Sequence, residues 1–114
     1  HPQGYDAPVG ERGEGFSGGQ RQSIALARTL LMDTPIVVLD EPTNMMDAAT
    51  EERVMANLEV YLKDKTLVLV THKPSLLKLV NRLVIMDAGK IMVDGPKDQV
   101  MKALAEGQIK VSKA

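Results

Sequence analysis

Two short apolar runs organise the middle of the chain. Ile36–Leu39 and Thr66–Val70 are unbroken and rich in β-branched residues, which indicates parallel strands buried on both faces. Asp47 suits a helix N-cap between them. Apolar positions then follow at helical spacing: Val54, Leu58 and either Tyr61 or Leu62. The order of strand, helix and strand predicts a βαβ unit over residues 36–72.

The segments before this unit predict a loop and a helix. Residues 1–15 are rich in glycine and proline, which favours a loop. Residues 16–34 predict a helix that is capped by Ser17 and stopped by Pro35. Its apolar face is expected to carry four residues: Ile24, Ala27, Leu30 and Leu31.

The segments after the unit predict a hairpin between two helices. Residues 73–106 begin with a short helical stretch at Pro74. Two apolar runs then flank Asp87–Gly89, which is typical of a hairpin turn. Pro96 marks the start of a last helix, and residues 107–114 form a polar tail. Together the patterns predict an α/β fold with parallel strands flanked by helices, followed by a β-hairpin and a helix.

Composition removes several classes of function. The formal net charge is −1 at pH 7, so no overall positive field attracts nucleic acid. The absence of cysteine excludes a disulfide framework and a thiolate metal site. No apolar run approaches the roughly 20 residues that a membrane-spanning helix requires.

Polar residues follow both apolar strands directly. Asp40-Glu41 ends the first run and Thr71-His72 ends the second. Since the carboxyl ends of parallel strands lie at one edge of a sheet, Asp40, Glu41 and His72 are expected to converge on a ligand site there. The alternative is a turn over Asp40–Thr43 that simply leaves the sheet, with a structural histidine.

A second candidate site precedes the first helix. In Ser17-Gly18-Gly19-Gln20, two glycines expose backbone N–H groups at a helix N-terminus, where an anion is favoured. The serine hydroxyl adds a donor. The alternative is an ordinary capped helix start.

Taken together, these segments resemble the ATP-binding cassette (ABC) family in order and spacing. The resemblance covers residues from about Val9 to about Leu104 and implies a partial P-loop NTPase fold, the C-terminal portion of one nucleotide-binding domain. The motifs that carry it are Phe16–Gln22, Ile36–Asp40, Glu41–Thr43, Asp47 and Thr71-His72.

The resemblance implies an ATPase with Mg²⁺ as cofactor. Asp40 matches the aspartate that holds Mg²⁺ through water, and Glu41 matches the general base that polarises the attacking water. His72 matches the switch histidine that bonds the γ-phosphate. Such catalysis depends on positioning and on stabilising charge.

The resemblance also implies partners. Ser17, Gly18, Gly19 and Gln20 match the signature loop, which closes over ATP held by a second nucleotide-binding domain in a head-to-tail dimer. Asp47 matches the loop that connects the two ATP sites. Val9–Gly13 resembles an exporter segment that contacts the transmembrane domains, although it also fits a charged surface loop.

Some positions depart from the family pattern. Phe16 stands where leucine is usual, and no Gly-x-x-x-x-Gly-Lys-Ser/Thr phosphate-binding (Walker A) loop occurs in the 114 residues. We therefore expect a truncated, soluble fragment that is inactive alone, from a parent at the cytoplasmic face of the inner membrane.

Asn44–Asp47 and Thr71–Leu77 are similar to type I protein secretion ATPases. The alternatives are a non-catalytic binding or dimerisation module and a fragment of a soluble ABC ATPase.

Overall fold

The computed structural model describes residues 17–108, and the chain divides into two units between His72 and Lys73. In the first unit, the elements are helix α1 (Gly18–Leu31), strand β1 (Ile36–Asp40), helix α2 (Ala48–Tyr61) and strand β2 (Thr66–Val70). In the second, they are a 3₁₀ helix (Pro74–Leu79), strands β3 (Arg82–Asp87) and β4 (Lys90–Pro96), and helix α3 (Lys97–Ala105).

The predicted βαβ unit is present. Strands β1 and β2 pair in parallel, with Ile36 opposite Thr66 and Asp40 opposite Val70. The Thr66 N–H donates to the Pro35 carbonyl oxygen at 2.9 Å, which starts the ladder one residue before β1. Because the strands have equal length and no stagger, their carboxyl ends lie level.

The prediction that both strands are buried on both faces is wrong for the described part of the chain. Val37 and Leu39 are buried, with 2% and 6% of their surface exposed, whereas Ile36 and Val38 are 58% and 62% exposed. Val68, the parallel partner of Val38, is also exposed. The described residues therefore cover one face of the sheet and leave the other face, which is also apolar, exposed.

Helix α1 begins where predicted, but of the four residues predicted for its apolar face only Leu30 lies on the inward side. Ser17 is its N-cap, and the helix ends at Leu31, ahead of Pro35, with Asp33 in the left-handed region at φ 49°. Ile24, Ala27 and Leu31 are exposed, while Leu26 is buried. The inward face carries Leu26 together with half-buried polar and apolar neighbours: Gln22, Ser23, Thr29 and Leu30.

Helix α2 is fixed at both ends. Asp47 is its N-cap, as predicted, and its side chain accepts a hydrogen bond from the Thr50 N–H at 2.7 Å. At the other end, the Tyr61 hydroxyl donates to the Leu30 carbonyl oxygen, and Lys65 Nζ lies 2.6 Å from Asp33 Oδ1. These contacts hold the C-terminal ends of α1 and α2 together.

The buried side of α2 includes one residue that the sequence pattern did not single out. Met55 is 1% exposed, beside the predicted Leu58 at 1% and Leu62 at 7%. An unbranched thioether fills irregular space in a core that has few aromatic side chains.

The second unit agrees closely with the sequence prediction. Strands β3 and β4 pair antiparallel, and the turn between them places Ala88 and Gly89 at φ 49° and 76°. Two consecutive residues with positive φ suit the right-handed twist of a tight hairpin. Val100 of α3 is buried, and Pro96 occupies the N-cap position of that helix.

Truncation of Leu58 is expected to destabilise the protein strongly. Leu58→Ala removes a fully buried side chain, which costs about 2–5 kcal/mol in comparable cores. Val60→Ala on the same helix is the control, since Val60 is 78% exposed and its truncation should change stability by about 0.5 kcal/mol or less. Urea unfolding followed by circular dichroism measures both; equal midpoints for the two variants would contradict the burial of Leu58.

Candidate functional site

The level ends of β1 and β2 place the predicted polar residues at one sheet edge. Asp40 is the last residue of β1, is exposed, and accepts no hydrogen bond from the rest of residues 17–108. An exposed carboxylate at a strand end has oxygens available for a ligand. In the parallel pair of strands, the backbone of Asp40 lies opposite Val70.

Glu41 has an unusual backbone conformation. Its φ is 46°, in the left-handed region that costs a non-glycine residue roughly 1–2 kcal/mol. Its N–H donates to the Val70 carbonyl oxygen at 2.8 Å, which extends the parallel ladder one step beyond β1. Such a conformation persists where surrounding contacts hold it, and it is frequent at functional sites.

The Glu41 carboxylate meets the end of β2. Oε1 accepts the backbone N–H of His72 at 2.9 Å and lies 3.8 Å from His72 Nε2, while Thr71 Oγ1 lies 3.4 Å from Oε2. The Glu41 side chain is 24% exposed and that of His72 is 86% exposed. The structure therefore brings Glu41 and His72 together and leaves the imidazole facing solvent.

The start of α1 presents hydrogen-bond donors. Ser17 and Gln20 form a capping box in which the Gln20 N–H donates to Ser17 Oγ at 3.1 Å and the Ser17 N–H donates to Gln20 Oε1 at 2.9 Å. The Gly18 and Gly19 N–H groups have no partner among the described residues, as expected in a first helical turn. These two N–H groups and the Ser17 hydroxyl remain available to an anion.

The two glycines also allow α1 to lie against the loop that follows β1. A Cβ on Gly19 would lie 2.9 Å from the Met45 carbonyl oxygen and 3.5 Å from Met46 Cα. The three atoms nearest to a Cβ on Gly18 all belong to the Met45 side chain. The N-terminus of α1 and the segment Glu41–Asp47 (hereafter the β1–α2 loop) are therefore in direct contact.

The β1–α2 loop is well anchored. Thr43 is fully buried, and its hydroxyl donates to Glu51 Oε2 at 2.8 Å. Hydrogen bonds from the side chain and backbone of Thr50 hold the pKa of the Asp47 carboxyl below its usual value. Asp47 therefore acts as an ionised helix cap. This structural role is separate from the role that the resemblance implies for Asp47, on the loop that connects two ATP sites.

Sequence reasoning assigned no role to Gln22, which links α1 to the β1–α2 loop. Its Nε2 donates to the Glu41 carbonyl oxygen at 2.9 Å and to Asn44 Oδ1 at 2.6 Å, and its Oε1 accepts the Met45 N–H at 3.0 Å. Gln22 stands four residues before the buried Leu26 and therefore on the same helix face. Because buried polar groups are nearly always hydrogen-bonded, a polar residue on an inward helix face is expected to bond to the segment that it faces.

Comparisons with known proteins agree on one family. The family model described as ABC transporter matches residues 2–44. An ATP-dependent lipid A-core flippase of Albidiferax ferrireducens is 39% identical over 102 residues, which is 90% of this chain and 18% of the flippase. An ABC transporter ATP-binding protein of Haemophilus influenzae is 40% identical over 99 residues, 87% of this chain and 16% of that protein.

A solved structure of a bacterial Atm1-family ABC exporter with ATP bound has a similar fold. Its TM-score is 0.78 at 28% sequence identity, over 99% of this chain and 21% of the exporter chain. Together these similarities support an ABC exporter nucleotide-binding domain fragment. The chain spans less than one fifth of the two curated relatives described above.

The described residues fit Mg²⁺ in the way that the resemblance implies. No group of three or more potential metal ligands occurs within residues 17–108. Mg²⁺ keeps several waters and needs only one or two protein carboxylates. The exposed Asp40 carboxylate can supply such a contact, directly or through water.

Two predicted features involve membranes. The segment Val9–Gly13, expected to contact transmembrane domains, lies outside the described residues. Among residues 17–108, no helix has the length and apolar character needed to cross a bilayer.

Gly18 and Gly19 should tolerate a methyl group unequally. Gly19→Ala should lower the melting temperature more than Gly18→Ala, because its Cβ meets backbone atoms of Met45 whereas the flexible Met45 side chain can move away from a Cβ on Gly18. Calorimetry of the purified nucleotide-binding domain compares them. A larger loss for Gly18→Ala would show that the close approach of Gly19 is wrong.

Proposed function

We propose that this protein binds and hydrolyses ATP to drive export across a membrane. One observation supports this most: the Glu41 carboxylate lies beside His72 where β1 and β2 end level, next to an exposed Asp40, in a chain that is similar to the ABC family. The solved relative is an exporter with ATP bound, and the flippases are ATP-dependent by name.

The residues at the carboxyl ends of β1 and β2 carry out the hydrolysis. Asp40 would hold Mg²⁺, and that ion would supply positive charge to neutralise the phosphates. Glu41 orients and polarises the attacking water from a fixed carboxylate, and the exposed His72 imidazole bonds the γ-phosphate. The contacts from Thr71 and from the His72 N–H limit the movement of Glu41, which suits a reaction whose rate comes from positioning.

The start of α1 serves a second ATP site. The Ser17 hydroxyl and the Gly18 and Gly19 N–H groups would close over the γ-phosphate of ATP held by a partner nucleotide-binding domain. The helix dipole favours the anion at this end. Gln20 supports the cap through its side chain, and Asp47 lies on the loop expected to connect the two sites.

The exported substrate has two candidates. The flippases named for lipid A-core favour a lipid-like substrate, and we propose that class first. The similarity of Asn44–Asp47 and Thr71–Leu77 to type I secretion ATPases favours a protein substrate as the second candidate. Either assignment places the intact protein at the cytoplasmic face of the membrane, with transmembrane domains contacted through Val9–Gly13.

Glu41→Gln is expected to stop turnover in the intact transporter while ATP binding persists. General-base assistance contributes on the order of 10²–10⁴-fold in rate, and glutamine keeps the size of the side chain. Phosphate release and binding of a fluorescent ATP analogue measure the two properties. Glu52→Gln is the control, because Glu52 is an exposed residue of α2 and its variant should retain wild-type turnover.

Turnover within about twofold of wild type in Glu41→Gln would contradict the assignment of Glu41 as general base and would favour a non-catalytic binding module. The 114-residue segment alone should release no phosphate, because it contains no loop to hold the α- and β-phosphates. Activity of the segment that is lost in Glu41→Gln would reveal an unrecognised phosphate-binding element.

Ser17→Arg is expected to block ATP-driven dimerisation of the nucleotide-binding domains. A bulky side chain at this position prevents close approach of the partner's γ-phosphate, while ATP bound within one domain is untouched. The Glu41→Gln background slows hydrolysis, so the ATP-bound dimer accumulates and light scattering detects it. Gln99→Arg on the exposed side of α3 should dimerise normally; normal dimerisation of Ser17→Arg would leave Ser17–Gln20 as a helix cap only.

A further inference from the structure

We infer that Gln22 is a positioning residue for Glu41, an inference that rests on the proposed function. Its side-chain amide contacts three groups of the β1–α2 loop: the Glu41 carbonyl oxygen at 2.9 Å, Asn44 Oδ1 at 2.6 Å and the Met45 N–H at 3.0 Å. Both amide protons and one oxygen lone pair are therefore used in a single bridge.

The backbone partners of Gln22 fix the orientation of its amide. The Glu41 carbonyl can only accept a hydrogen bond, and the Met45 N–H can only donate one. A flipped amide would lose both bonds. Asn44 can turn its own amide to match either arrangement, so it does not set the orientation.

Gln22 completes the immobilisation of Glu41. The Glu41 N–H is held by the Val70 carbonyl oxygen, and the carboxylate by the His72 N–H. The Glu41 carbonyl is held by Gln22 from α1. These three contacts come from β2, from His72 just beyond it and from α1. They stabilise a residue at φ 46°, whose side-chain direction depends on that backbone conformation.

The bridge also connects two parts of the proposed mechanism. Helix α1 begins at the signature glycines, which would face a nucleotide held by the partner. One turn later, the same helix holds the backbone of Glu41, which would act on a nucleotide of its own domain. A shift of α1 when the partner's ATP docks would therefore move the carbonyl of Glu41 through one rigid amide.

The test is a comparison of kcat and KM in the full-length transporter. Gln22→Glu keeps the size of the side chain and an acceptor for Met45 but cannot donate to the Glu41 carbonyl when ionised. Misplacement of a catalytic group by about 1 Å costs up to roughly 100-fold in rate. We expect kcat to fall about 10- to 100-fold, with the KM for ATP within about threefold of wild type.

Two further variants separate positioning from stability. Gln22→Met keeps the volume and loses all three hydrogen bonds, so its kcat should fall at least as far as that of Gln22→Glu. Gln99→Glu makes the same chemical change on an exposed part of α3 and should leave kcat unchanged. Rates are divided by the amount of bound ATP per chain, so that unfolded protein does not count.

The outcomes distinguish this inference from the proposed function. A kcat within about twofold of wild type in both Gln22 variants, while Glu41→Gln is inactive, would overturn the positioning role and leave the ATPase assignment intact. A loss explained by a higher KM would overturn it as well. Full activity of Glu41→Gln would instead remove the proposed function on which the inference rests.

Discussion

The parallel register of β1 and β2 is the constraint on which the rest of the site depends. The Glu41 N–H donates the next hydrogen bond of the ladder to the Val70 carbonyl oxygen, although Glu41 has already left the extended conformation. This bond turns the chain sharply while keeping Glu41 at the sheet edge. A shift of one residue in the register would separate Glu41 from His72 and turn every side chain of the strand to the other face.

Local signals made much of the fold predictable. Both parallel strands, the caps at Ser17 and Asp47 and the hairpin turn at Ala88-Gly89 follow from neighbouring residues, and the structure contains them all. Each depends on chemistry within a few positions: an unbroken apolar run, a short acceptor side chain before a helix, or a glycine within a tight turn.

The remaining features depend on contacts between distant segments. Apolar spacing placed Ile24 and Leu31 on the inner face of α1, but the helix turns Gln22 and Leu26 inward because the β1–α2 loop offers backbone groups to bridge. An unbroken apolar run also cannot show which strand face is covered. At the candidate site, the proximity of Glu41 and His72 was predictable from strand order, whereas the bridge by Gln22 spans 19 positions and leaves no local pattern.

The capping box at the start of α1 has a consequence for mutational tolerance. Ser17 Oγ accepts the Gln20 N–H through a lone pair, so its proton stays free to donate outward. Aspartate caps helices about as well as serine, and Ser17→Asp would pass a screen for thermal stability. It would nevertheless replace a donor by a negative charge at the position proposed for a phosphate. Selection for folding therefore accepts either residue at position 17, whereas selection for ligand binding favours serine, and only an assay with nucleotide can tell the two residues apart.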